Sequence, residues 1–165
     1  MEPEKEVKLF DLVREFNRRN IRYLIIGRRA VILYGGPVLT ADHDLWGDPA
    51  DKKKILHFLS DELHFELSYP PDTQRPMVTG FSGMKKYELF FQRSVKNIEH
   101  ETIEFEECYK NSVLKEEFAE NISFRIPSID DLIRLKKIRK RNIKDEQDIA
   151  YLLKAKHLLR KSRMK

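Results

Sequence analysis

The stretch YLIIGRRAVILYGGPVLTADHDLW, Tyr23 to Trp46, is where the fold is decided. Its opening residues, Tyr23 to Gly27, read as a short buried strand ending on glycine. Residues 28 to 34 can form a short helix, which Gly35-Gly36-Pro37 stops, because glycine permits left-handed dihedrals and Pro37 cannot continue the hydrogen-bond ladder. A second strand is expected from about Leu39 to Trp46. Side chains alternate along a strand, so Asp42 and Asp44 share one face while His43 and Leu45 share the other. Two carboxylates so close repel each other unless a proton or cation lies between them, and Mg²⁺ or Mn²⁺ prefers such hard oxygen donors. The spacing by itself is common, and it equally describes a polar strand end paired with surface cations.

Around this stretch the chain has 165 residues, enough for one domain with a real core and too few for two. We expect a single domain over 1–165, with a sheet core at about 20–126 and a helical part at 128–161. The charged fraction of 36% exceeds the usual quarter and implies a highly solvated surface. Positive charge gathers near the C-terminus, where Lys154, Lys156, Arg160, Lys161, Arg163 and Lys165 occur without an acid. A single cysteine, Cys108, allows no intrachain disulfide, so the expected location is a reducing cytoplasm. No signal-peptide pattern opens the chain, and no apolar run reaches the ~18 residues of a membrane span, so no membrane partner is expected.

Leu9, Phe10, Val13 and Phe16 recur at helical spacing and predict an amphipathic helix ending near Asn20. A further helix is expected over about 50–63, with a strand at His64–Ser68 behind it. Residues 68–83 hold three prolines and two glycines in sixteen positions, which predicts an irregular loop of lid-like length. Tyr87, Leu89 and Phe91 alternate with Lys86, Glu88 and Phe90, which makes Glu88 a strand carboxylate. Residues 102–107 fit a strand or a helix, and Ile122 to Pro127 a last short strand. Ser128, with Asp131 three residues on, caps a helix running to about Arg141. The last helix, Lys144 to Lys161, is expected to bury Ile149, Leu152, Leu153 and Leu158. Strands interleaved with helices and followed by a helical C-terminus predict an α+β fold with a mixed sheet.

A strand, a glycine turn, a short helix, a second glycine turn and then Thr40-x-Asp42-x-Asp44 resembles the signature of the polymerase-beta-like nucleotidyltransferases. Within them it is most similar to the AbiEii-like toxins and minimal nucleotidyltransferases. The downstream run KKIRKRNIKDEQD, 136–148, is similar to the second AbiEii-like motif, supplying Lys136, Arg141, Lys144, Asp145 and Asp148, with Lys144 where the family has arginine. Without the resemblance, this run is a basic solvated helix face with intrahelical ion pairs.

The resemblance implies an enzyme that moves a nucleoside monophosphate from an NTP to a hydroxyl of RNA, tRNA first among them, or of a protein. It further implies a toxin with a cognate antitoxin as partner. On this footing Gly27 marks the phosphate turn, Thr40 stands beside it, and Asp42 and Asp44 hold Mg²⁺ or Mn²⁺. Glu88 is the expected third carboxylate, with Glu104 its competitor in a more acidic neighbourhood. Lys136, Arg141, Lys144, Asp145 and Asp148 are then the outer nucleotide-binding set, and the basic C-terminal helices suit an RNA backbone.

Arg28 and Arg29 depart from the family, which has a small residue after the glycine, and Val38 and Ala41 stand where its branch carries arginines. Arg28 either fills the phosphate space or offers guanidinium donors to it. The alternative function is therefore a catalytically degenerate nucleotide-, RNA- or partner-binding module. The five histidines show no zinc spacing, and no nucleophile elbow, Walker loop or dinucleotide fingerprint occurs.

Overall fold

The computed structural model describes residues 5–139 and 142–163. Helix α1 (Leu9–Arg18) turns its Leu12, Val13 and Phe16 inward and ends where Asn20 takes φ 57°, a value asparagine tolerates. Strand β1 (Tyr23–Ile26) runs straight into the short helix α2 (Gly27–Leu33), and β2 (Asp42–Gly47) returns antiparallel to β1. A one-turn 3₁₀ segment, α3 (Lys52–His57) and a π-turn at Phe58–Glu62 replace the single helix expected there.

The central sheet has five strands, the remaining three being β3 (Glu66–Leu67), β4 (Met77–Ser82) and β5 (Lys85–Phe90). Their order is β1-β2-β5-β4-β3, with β2 and β5 parallel and the other pairs antiparallel. This is the mixed sheet of an α+β fold. Residues 77–82, expected within an irregular loop, are a strand instead. Gly80 lets this strand pack closely, since a Cβ there would fall 3.1 Å from Phe65 Cδ2 and 3.3 Å from Leu67 Cδ2.

Two hairpins follow. Strands β6 (Ser94–Lys96) and β7 (Thr102–Glu104) pair with each other, and α4 (Phe105–Lys110) comes next. Strands β8 (Val113–Glu117) and β9 (Ile122–Ile126) form the second hairpin, of which the sequence pattern reveals only β9. Helix α5 (Ile129–Ile138) begins on Ser128, whose Oγ accepts from Asp131 N at 3.1 Å. Helix α6 (Ile143–Arg163) buries Ile149 and Leu152. Leu153 and Leu158, expected inside, are 53% and 56% exposed; Ile149, Tyr151, Leu152 and Ala155 meet the core instead.

The two sheet faces are chemically unlike. One presents Ile25, Leu45, Tyr87 and Leu89 to the main core shared with α1 and α3. The other presents Leu24 and Trp46 to a smaller core with Phe105 and Ile138, and beside it Asp42, Asp44, Lys86 and Glu88. No helix among the described residues is long and apolar enough to cross a membrane.

Candidate active site

Parallel pairing of β2 with β5 sets Asp44 opposite Glu88 and Asp42 opposite Lys86, all on the less covered face. Three carboxylates from strands more than 40 residues apart in sequence are thereby gathered in two adjacent rows. Glu88 is held on both oxygens: Lys86 Nζ lies 3.1 Å from Oε1, and Thr79 Oγ1 donates to Oε2 at 2.9 Å. Asp42 is exposed, while Asp44 and Glu88 are half-buried. Burial, then the charges of Glu88 and Asp42, push the Asp44 carboxyl up to about 6, against partial relief from Arg139 and Lys136.

Gly27 closes the site from the β1 side. It has φ +67°, and a Cβ there would lie 2.9 Å from Asp44 Cγ, so only glycine lets the chain turn against this carboxylate. An under-neutralised carboxylate beside a second one, in a cradle that a Cβ would fill, fits a hard divalent cation. Among the described residues no group of three or more His, Cys, Asp or Glu is arranged to hold a metal ion. A two-carboxylate site is nonetheless usual for Mg²⁺, which completes its shell with water and substrate phosphate.

Behind Gly27, the second motif assembles as a buried charge network. Lys136 Nζ, on α5, donates to Asp148 Oδ2 at 2.9 Å and lies 4.0 Å from Asp145 Oδ1, both on α6. Arg28 Nε donates to Asp148 Oδ1 at 3.3 Å, and Arg139 pairs with Asp145 at 2.5 Å. Asp145 also exchanges hydrogen bonds with Asn142 in a reciprocal cap of α6. Arg28 is thereby tied to α6, and its Nη1 also donates to the Leu39 carbonyl at 3.5 Å.

No family model matches the chain, and no curated protein matches it in sequence. Solved structures do. The lincomycin-bound lincosamide antibiotic adenylyltransferase LnuA superposes with a TM-score of 0.65 at 14% identity, over 90% of this chain and 98% of that one. The antibiotic-resistance factor ANT(2″)-Ia gives 0.56 at 14% identity, over 93% of this chain and 87% of that one. The chain shares its fold with these two proteins.

On this fold the expected residues divide. Gly27, Asp42, Asp44 and Glu88 come together on one sheet face, and Lys136, Asp145 and Asp148 converge behind them with Arg28. Arg29 stands apart. Its guanidinium donates to the Thr40 carbonyl at 3.0 Å and lies near His43 and Tyr87, on the opposite face. There it helps burial push His43 down to about 4, which keeps that imidazole neutral. Thr40 Oγ1 accepts from Asp42 N at 3.2 Å and so fixes the entry to β2. Lys144 is exposed on α6, Arg141 lies outside the described residues, and Glu104 pairs with Ser94 in the β6–β7 hairpin.

Three residues escaped the sequence reading: Lys86, Thr79 and Arg139. Lys86 could have been found, since it stands two positions before Glu88 on the same strand face. Thr79 could not, because its segment did not read as a strand. Arg139 was one of several cations in a basic run, with nothing local to single it out.

Proposed function

We propose that the chain is a divalent-metal-dependent nucleotidyltransferase that moves a nucleoside monophosphate from an NTP to a hydroxyl. The observation that carries this reading is the convergence of Asp42, Asp44 and Glu88 on one sheet face, with Gly27 turned tightly against Asp44. When bound by Asp42 and Asp44, Mg²⁺ or Mn²⁺ would supply positive charge to the phosphate oxygens. Gly27 leaves room for the phosphates to approach the backbone. Glu88, aimed by Lys86 and Thr79, takes the proton of the acceptor hydroxyl. The acceptor oxygen bonds to the α-phosphorus, and the bond to the bridging oxygen breaks, releasing pyrophosphate.

For the acceptor we propose RNA, tRNA first among its forms, with a protein hydroxyl next. Lys154, Arg160, Lys161 and Arg163 lie along the exposed end of α6 and suit a phosphate backbone, while Lys156 is paired with Asp130 at 2.6 Å. Such an activity fits the toxin half of a toxin–antitoxin pair. The likeness to LnuA and ANT(2″)-Ia adds small hydroxylated molecules as an acceptor class to test. A second reading, a non-catalytic nucleotide- or RNA-binding module, draws on Arg28 and Arg29 after Gly27 and on Val38 and Ala41 where cations are expected.

The experiment is transfer of label from α-³²P NTPs, with Mg²⁺, to total RNA, to protein and to a panel of hydroxylated small molecules. Wild type should label one class, and the Asp42→Asn, Asp44→Asn double variant none. Equal absence of label from both, with RNA retained on filters in a steeply salt-dependent way, would instead support the module.

A further inference from the structure

Two residues beyond the Asp44–Glu88 pair, the same sheet face stops presenting charge: Trp46 stands opposite Phe90. Between these rings and α5 lies a pocket of ≈150 Å³, walled by Ile26, Trp46, Phe90, Val95 and Leu135. A cavity of about this size with apolar walls holds a single aromatic ring such as benzene. The indole is fixed in place, because its Nε1 donates to the Gln92 carbonyl at 2.8 Å. Gln92 also contributes the one amide side chain of the lining.

The charged residues that reach the pocket are Asp44, Lys136 and Arg139. Lys136 is matched by Asp148 and Arg139 by Asp145, so the ring that enters need carry no charge of its own. Arg139 nevertheless keeps 61% of its side chain exposed, free to meet a phosphate. Asp44 is a shared wall. The pocket lies on one side of it, while Asp42, Lys86 and Glu88 lie outside the lining.

Resting on the transferase reading above, we infer that this pocket receives the nucleobase of the donor nucleotide. The ligand is a flat, uncharged heteroaromatic ring between Trp46, Phe90 and α5, with a hydrogen-bonding edge toward Gln92. A donor seated this way carries its phosphates past Arg139 and Gly27 to Asp44. The Glu88 side is left open for the acceptor hydroxyl.

Trp46 is the sole tryptophan, so its fluorescence reports the pocket without any turnover. The test titrates metal-free protein with adenosine, guanosine, cytidine and uridine, and with sodium tripolyphosphate as a phosphate-only probe. At least one nucleoside should change Trp46 emission saturably and be displaced by the matching NTP, while tripolyphosphate does not change it. Val95→Phe, which fills the pocket from β6, should weaken that response about tenfold. Gln92→Leu should alter the ranking of the four bases, and it serves on its own if Val95→Phe does not melt cooperatively.

Three outcomes overturn the assignment: no nucleoside response at millimolar concentration, a response undiminished in both variants, or nucleoside binding that NTP does not displace. The Asp42→Asn variant separates the two proposals, since it should keep the nucleoside response while losing transfer. Transfer by wild type without any Trp46 response sinks the pocket and spares the transferase. A nucleoside response in a protein that transfers nothing does the reverse.

Discussion

Gly27 and Asp44 touch across the β1–β2 junction, so closely that a Cβ on residue 27 would fall 2.9 Å from the Asp44 Cγ. Gly27 also holds φ +67°, which residues other than glycine, asparagine and aspartate adopt only under strain. Gly27→Ala should therefore cost about 1–3 kcal/mol of stability. By displacing Asp44 it should also lower transfer about a hundredfold. Urea unfolding and NTP labelling measure the two effects; a variant matching wild type in both would remove the close contact from the account.

Asp44 makes metal-free stability depend on pH. Burial, then Glu88 and Asp42, raise its carboxyl from the ordinary 3.8 to about 6, so the folded chain holds this proton more tightly than the unfolded one. The contribution is complete below pH ~4 and is lost as pH rises through ~6, a change of at most about 3 kcal/mol. Asp44→Asn should lack this loss, be the more stable metal-free protein at pH 7.5, and transfer nothing. Paired urea titrations at pH 5 and 7.5 isolate the term, and parallel pH curves for the two proteins would contradict it.

The Lys136–Asp148 pair is buried on both sides, with 5% and 2% of the side chains exposed. Asp148→Ala strands the Lys136 ammonium with Asp145 as its remaining partner at 4.0 Å, and it releases Arg28. The expected cost is about 3–5 kcal/mol. Lys136→Met combined with Asp148→Leu should recover most of it, because both members of the pair become apolar and Asp145 keeps Arg139 as its partner. Additive losses in that double-mutant cycle would show that the two residues act independently.

Lys86 places an ammonium beside Glu88 and opposite Asp42, where a divalent cation would have to share the same carboxylates. Lys86→Met should tighten Mn²⁺ binding by roughly three- to tenfold, an effect that shrinks in high salt. Electron paramagnetic resonance of free Mn²⁺ gives the affinity directly. Weaker Mn²⁺ binding in the variant would mean that Lys86 holds Glu88 in place for the ion.

Local periodicity carried a good part of this protein. Strand alternation alone put Asp42 and Asp44 on one face and His43 on the other, and it marked Glu88 as a strand acid. The Ser128 cap, the starts of α5 and α6 and the end of α1 near Asn20 follow from capping chemistry and helical spacing, which act over a few residues. These signals are legible because they arise from the geometry of the chain itself.

What the tertiary structure decided are the pairings between distant segments. Nothing in residues 42–46 says that β2 lies parallel to β5, yet that register is what brings Glu88 opposite Asp44. Arg28 could have blocked the phosphate turn or lined it; Asp148, 120 residues away, draws it toward α6. Leu153 and Leu158 keep the helical pattern and are still exposed, because packing partners decide which side of a helix is covered, and here Ile149, Leu152 and Ala155 meet the core. The aromatic pocket is likewise assembled from β1, β2, β5, β6 and α5, and no two of those carry it. Short-range order is set by backbone geometry, whereas these contacts are chosen by the packing and charge balance of the whole chain at once.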